Sequence, residues 1–282
     1  MNHIFKKFNL LFSKIWLFVG LTYLLAPTLA FSKGEPTLTI VNGQSSREFK
    51  LSDFKKKLKV HTIELDDPVF KKRKSFDGFL LTDIFKLVGF TDQTQGDEIV
   101  LTALDGYAPS VSFDLFRTQE GYVVFQETGT KLKFGLVAQG KAMVSPGPFY
   151  IVWKGPEEQT SKLPWAYQLA VIELVQFSVK YAKAFPPTES AKDSVMRGFK
   201  IFKSECIRCH SINLSGGDIG PELNAPQNVT EYMKESVIRG LIKNAESFRY
   251  RSKMPAFPNL KDEELDDLID YLKAMKKHKI TL

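Results

Sequence analysis

Both cysteines of this 282-residue chain stand three apart, Cys206 and Cys209, and a histidine, His210, follows the second directly. Cys-x-x-Cys-His is the pattern of a c-type haem attachment site: each thiol can bond one vinyl-derived carbon, and the adjacent imidazole is then held beneath the iron. Attachment and ligation come from one short loop. Shuffling two cysteines and four histidines through the chain gives this arrangement roughly once in ten thousand trials, so composition is a poor explanation for it. Other uses of the residues fit less well. A zinc site needs about four Cys or His ligands, and His3, His61 and His278 form no second paired cluster. A redox dithiol wants a neighbouring βαβ pattern, whereas the flanks here read as helix or loop. A structural disulfide across two residues closes almost no loop and constrains the unfolded chain little.

Residues 1–30 read as a signal peptide. Lys6, Lys7 and Lys14 precede an uncharged run from Ile15 to Ala30, with Thr28 and Ala30 as small residues before a cleavage point. Sec-type export to the periplasm follows; there is no twin-arginine pair, and no cysteine follows the run to carry a lipid. The alternative is a retained inner-membrane anchor, because the run falls only somewhat short of the roughly twenty residues a bilayer demands. Membrane contact is expected only in that case. Losing the three lysines lowers the formal charge from +7 to about +4, a mildly basic balance. The runs Lys55-Lys56-Lys57 and Lys71-Lys72-Arg73-Lys74 are flanked by acids at Asp66, Asp67 and Asp77. They read as solvated faces, or as a surface that steers an acidic redox partner, and not as a nucleic-acid site.

Residues 36–178 contain no cysteine and are dominated by short alternating runs: Thr37 to Val41, Ile99 to Thr102, Val111 to Phe113, Tyr122 to Phe125 and Phe149 to Trp153. Between them Leu80, Leu81, Ile84, Phe85 and Val88 recur at helical spacing and stop at Gly89. The class is α+β. Four phrases in order, Phe76-Asp77-Gly78-Phe79-Leu80, Ala103-Leu104-Asp105-Gly106-Tyr107, Gly147-Pro148-Phe149-Tyr150-Ile151-Val152-Trp153 and Leu163-Pro164-Trp165-Ala166-Tyr167-Gln168, resemble the sulfite-oxidase-type molybdopterin-binding domain. That resemblance implies a mixed sheet. The sequence departs from the family where its active members present a thiolate to molybdenum, since the stretch around Val60-His61-Thr62-Ile63 has no cysteine. No molybdopterin is therefore expected. His61 as a substitute ligand is weighed against a packed or surface strand histidine, which is the commoner case. Asp105-Gly106-Tyr107 has two readings, a pocket or partner site as the resemblance implies, or a turn whose Tyr fills a core edge, and the second is favoured. Trp165 and Tyr167 read as packing aromatics.

Pro186, Pro187, Thr188 and Glu189 break this pattern and open a second domain, 188–282. Ser190 with Asp193 suggests a capping box, and Val195, Phe199 and Phe202 share one helical face ahead of the Cys pair. Gly198 within that helix implies a close neighbour, expected to be the ring of Tyr271. A final all-apolar stripe, Leu265, Leu268, Ile269, Leu272 and Met275, has acids in its first turn and lysines in its last. Gly198, Phe202, the Cys-x-x-Cys-His, Gly220-Pro221, Met254-Pro255 and Leu268-Ile269-Asp270-Tyr271 in this order resemble class I cytochromes c over roughly 188–278, an all-α fold.

The resemblance implies that Cys206 and Cys209 hold one haem c covalently and that His210 ligates its iron, with Pro221 against the histidine and a nearby carbonyl taking the proton on its other nitrogen. It also implies a crossing of Gly198 and Phe202 with Leu268 and Tyr271, and a middle helix from Asn228 to Asn244 capped by Thr230. Three methionines follow the haem motif: Met233 is assigned to the middle helix and Met275 to the last apolar stripe, which leaves Met254, on an irregular loop, as the distal ligand. Pro255 holds Met254 extended. Ile207 and Arg208, unspecified by the motif, are expected to matter far less than the cysteines. With both axial positions filled, iron is a carrier of single electrons and not a catalyst. The expectation is an exported monohaem c-type cytochrome that serves periplasmic redox partner proteins, with a cofactor-free docking domain. A sulfite-dehydrogenase-like oxidoreductase and a haem-based sensor are the alternatives.

Overall fold

Short apolar strands shape the first half of the chain, some alternating with polar residues and some buried on both faces. In β3 (His61–Asp67) every second residue from Ile63 is buried, and in β10 (Tyr150–Lys154) four consecutive residues are, because Ile151 and Trp153 face one apolar cluster and Tyr150 and Val152 face another that includes Phe134, Trp165 and Tyr167. The structure, a computed structural model, describes residues 34–281 apart from 44, 91–93 and 191. The stretch 1–30, read above as an export signal, lies outside the described residues. No helix among those described is long and apolar enough to cross a membrane.

In chain order the sheet-bearing part comprises β1 (Thr37–Asn42), β2 (Ser45–Lys50), α1 (Leu51–Lys57), β3, β4 (Lys72–Leu80), α2 (Leu81–Val88), β5 (Glu98–Ala103), β6 (Ser110–Ser112), α3 (Phe113–Thr118), β7 (Glu120–Glu127), β8 (Val137–Gln139), β9 (Ala142–Val144), β10, α4 (Glu157–Thr160), β11 (Leu169–Val175) and α5 (Phe177–Lys180). Five strands run β2-β1-β11-β5-β6 and four run β10-β7-β4-β3. Only β1 and β11 pair in parallel, Thr39 facing Val171; the other pairs are antiparallel. The first and last strands of the region are thus neighbours at the centre of a mixed sheet. α2 ends at Gly89 with φ 80°, the left-handed stop that the sequence predicts. Phe113, expected to end a strand, instead begins α3.

Fully buried aromatics, Phe54, Phe79, Phe116, Phe149 and Trp153, fill the layer between the sheets. A carboxylate is enclosed beside Tyr150, in the separate cluster on the other face of the second sheet. Asp67 accepts from Val69 N and Phe70 N at 2.8 Å and from the Tyr150 hydroxyl at 2.9 Å, and burial raises its pKa against those bonds.

The helical part has α6 (Asp193–Ile201), a π turn Phe202–Cys206, the short strands β12 (Ser211–Ile212) and β13 (Ser215–Gly216), α7 (Val229–Tyr232), α8 (Glu235–Phe248) and α9 (Asp262–Met275). α6 opens at Asp193 with Lys192 as its N-cap, so Asp193 is the first helical residue and not the third position of a box begun at Ser190. The middle helix is likewise two helices. Asn228, not Thr230, caps the first, accepting from Thr230 N at 2.9 Å while Glu231 returns a bond to Asn228 N. Met233 then leaves the helix with extended backbone, and α8 restarts after Lys234. The polar side chain of Asn228, wholly buried, competes for backbone partners better than Thr230 does, since it also donates to Leu272 O and Asn224 Oδ1.

α6 and α9 cross where Gly198 meets the last helix. A Cβ there would lie 1.9 Å from the Asp267 carbonyl and 2.9 Å from Tyr271 Cβ, so the backbone of Asp267 comes closer than the expected Tyr271 ring. Phe199 and Phe202 lie on that ring at 5.7 and 5.2 Å between centroids. Arg197 grips Asp267 through two bonds of 2.7 Å. Both parts belong to one compact unit, Glu35–Leu282, and share an apolar cluster to which Val100, Ala108, Val175 and Phe177 contribute from the sheet side.

Candidate functional site

The π turn delivers the Cys pair. Ile207 N donates to Phe202 O, and both Cys209 N (3.0 Å) and His210 N (2.9 Å) donate to Cys206 O, so the Cys-x-x-Cys segment winds through one tight turn. Residues three apart on such a turn share a side. Both thiols are free and partly buried; burial pushes the Cys206 thiol up to about 12 and also raises Cys209.

His210 is held by the next loop. Its Nδ1 lies 2.8 Å from Pro221 O, and burial keeps the ring's pKa below its ordinary value against the opposing pull of that carbonyl. With Nδ1–H donated to Pro221, Nε2 carries the lone pair a metal needs. Gly220 makes the approach possible: a Cβ at that position would be 2.6 Å from His210 Cε1. A neutral imidazole with one nitrogen free, beside two thiols on one turn and a glycine cradle, fits a covalently attached haem. Among the described residues no three His, Cys, Asp or Glu side chains gather as a site for a bare metal ion.

Glu222, which the sequence reading missed, fixes this loop. Its carboxylate accepts from the backbone N–H groups of Asn213 (2.8 Å), Leu214 (2.9 Å), Asn224 (2.9 Å) and Ala225 (3.1 Å). Burial alone would raise its pKa; these bonds and the Ser211 hydroxyl outweigh burial and hold it below the usual carboxylate range. From there Asn213, Asn224 and Asn228 form a buried chain of side-chain amides that ends on Leu272 O and His278 O. An acid directly after Gly220-Pro221, followed by two asparagines at Asn224 and Asn228, was the available signal.

Met254 lies in the irregular stretch between α8 and α9, half-buried against the helical cluster, and its N–H donates to Ser252 Oγ at 3.2 Å. Met275 is buried in α9 as expected, but Met233 stands at the break between α7 and α8 and is half-buried too. His61 stays on β3, opposite Gly78 and near the Tyr122 ring.

The two unspecified residues of the motif are not free. Ile207 is 1% exposed in the helical core. Arg208 O accepts from Ala108 N at 2.8 Å, and its guanidinium faces Tyr107, whose hydroxyl is raised by burial and lowered in part by that charge. Asp105-Gly106-Tyr107 is therefore a turn, with Gly106 at φ 88°, and also the sheet region's contact with the Cys loop, where Asp218 N donates to Gly106 O. Nearby, Lys203 Nζ reaches Glu98 Oε1 at 2.5 Å and lies 3.9 Å from the Phe177 ring centroid.

Residues 195–276 match the family model described as cytochrome c. This segment is a cytochrome c domain. It implies covalently bound haem c. A curated relative, cytochrome c oxidase subunit 2 of Alkalihalophilus pseudofirmus (strain ATCC BAA-2126 / JCM 17055 / OF4), is 27% identical over 107 residues, which cover 34% of this chain and 29% of that protein. The chain thus matches less than a third of that relative's length.

Proposed function

We propose that the protein is an exported carrier of single electrons with one haem c, working between redox partner proteins of the periplasm. When bound, the haem iron supplies reversible exchange between the ferric and ferrous states. Cys206 and Cys209 fix the ring covalently, His210 offers Nε2, and the Pro221 carbonyl sets that nitrogen's orientation and raises its basicity. Met254 would supply the iron's sixth ligand: Met275 is locked in a helix interior, and Met254 lies on an irregular stretch with few bonds of its own. Filling that position excludes water and small ligands. The observation that carries the reading is the 2.8 Å contact between His210 Nδ1 and Pro221 O beside a free Cys pair, within a cytochrome c domain.

The sheet region is, on this reading, a sulfite-oxidase-like fold without molybdopterin, since residues 36–178 offer no cysteine thiolate. It serves as a docking module. The relative's name attaches it to a terminal oxidase, which is the class of electron acceptor we propose here.

The test is a potentiometric titration of the purified protein with metal analysis. One equivalent of iron, a one-electron Nernst slope and no molybdenum are expected; stoichiometric molybdenum overturns the carrier reading in favour of an oxidoreductase. Met254→Ala should abolish the weak far-red sulfur-to-iron band and admit carbon monoxide, and Met254→His should lower the potential. Loss of that band on changing Met233, with Met254→Ala silent, would assign the ligand to Met233.

A further inference from the structure

The Met254 stretch is tethered from outside the helical domain. The turn between β8 and β9, Gly140-Lys141, reaches across to it from the sheet region. Lys141 Nζ pairs with Glu246 Oε1 of α8 at 2.9 Å and lies 3.5 Å from the centre of the Tyr250 ring. The backbone is equally close, for a Cβ on Gly140 would stand 3.4 Å from the Ser252 carbonyl, and Ser252 Oγ is the acceptor for Met254 N. On the other side Gln139, the last residue of β8, donates to Asp105 Oδ2 at 2.7 Å, in the same turn whose neighbour Ala108 bonds the Cys loop. One continuous set of contacts therefore runs from the Cys loop through the Asp105 turn and the β8–β9 hairpin to the stretch that carries Met254.

We propose that the β8–β9 hairpin is a brace that holds the Met254 stretch in place, with Lys141 as its positioning residue. This rests on the reading of Met254 as the sixth ligand. Residues 249–254 have few other contacts: Arg249 N donates to Ala245 O at 3.0 Å and Ser252 N to Arg249 O at 3.1 Å, Met254 packs on the helical cluster, and Tyr250, 69% exposed, has Lys141 at 3.5 Å and Arg251 at 5.7 Å from its ring. Each tether is individually weak, being an exposed ion pair and a surface cation–π contact, so the device is graded and reversible. Whatever lifts the hairpin loosens the methionine, and the sheet region thereby gains a hold on iron coordination.

The experiment uses the full haem-loaded chain. In Lys141→Glu, which places a like charge against Glu246, carbon monoxide should bind the ferrous protein roughly three- to ten-fold faster, because its rate follows the fraction with the methionine detached. The amides of 249–252 should exchange hydrogen faster in the same variant. The charge swap Lys141→Glu with Glu246→Lys should restore both, which a general loss of folding would not do. High salt should act on the wild type in the direction of Lys141→Glu, as the pair is exposed. Unchanged carbon monoxide binding and exchange in Lys141→Glu, while Met254→Ala still abolishes the far-red band, overturns the brace and leaves the ligand intact. A silent Met254→Ala overturns the ligand reading itself and the brace with it.

Discussion

The two regions of this chain are stabilised in opposite ways. The sheet region builds its core from its own residues: all of the largest side chains between its sheets, from Phe54 to Trp153, come from within 37–175. The helical region borrows. Its cluster takes Val100, Ala108, Val175 and Phe177 from the sheet side, and its interior admits Asn213, Asn224, Asn228 and Asp267. Those polar groups hold the Pro221 loop and the α6–α9 crossing in position, which apolar residues would do less specifically. The part that carries the chemistry has thus given interior volume to orientation, and depends for support on a neighbour.

The sharpest way to separate the two regions is to remove the haem. Cys206→Ala or Cys209→Ala should sharply reduce the haem that survives denaturation on a stained gel, while the melting of the sheet region, followed by Trp153 and Trp165 fluorescence, should move little. A large parallel shift would make the two regions one cooperative unit. Next in size, Gly198→Val forces a side chain into the Asp267 carbonyl and should cost about 3 kcal/mol or more in denaturant titrations of the helical region. A change below about 1 kcal/mol would show that the helices slide apart freely.

Acid should divide the regions more gently. Glu222, Glu231 and Glu235 all have folded pKa values below their ordinary 4.5, for Glu222 despite its burial and for the other two through Lys279 and Lys273. Their contribution is complete above about pH 4.5 and is lost as pH falls through the lowered folded values. Asp67 has the opposite sign: its raised pKa means the folded sheet region binds that proton more tightly, so acidification through that range stabilises it there. Melting curves from pH 6 to about 3 should show the helical transition moving down before the tryptophan signal does. The smallest effect is expected at the seam. Lys203→Ala removes the partner of Glu98, but Ser110 Oγ still donates to that carboxylate, so the loss should be about 1 kcal/mol in the helical transition alone.

Sequence pattern reached the elements whose cause is local. Gly89 ends α2 because its backbone sits at positive φ, and the acids of Asp262 to Glu264 do open α9. The Cys pair and its histidine were legible because spacing alone defines them. Three-dimensional competition hid the rest. Asn228 outcompetes Thr230 as a cap only because Asn224 and Leu272 surround it, and the break at Met233 follows from where α7 must end to let α8 pack. Asp105-Gly106-Tyr107 signalled a turn correctly, yet nothing in those letters shows that Arg208, about a hundred residues on, would lie across it. Ile207 looked dispensable in a motif and proves to be core.

The parallel pairing of β1 with β11 has a consequence for the order of events during synthesis. β1 meets its central partner only after about 130 further residues have been made, and such non-local closure is slow. Cys206 follows the end of β11 by about thirty residues. Until β5 and the turn after it are set in the sheet, Ala108 is not in place to bond Arg208 beside the thiols. The cover that the Asp105 turn places on the Cys loop is therefore made by long-range pairing and not by the loop's own neighbours in sequence.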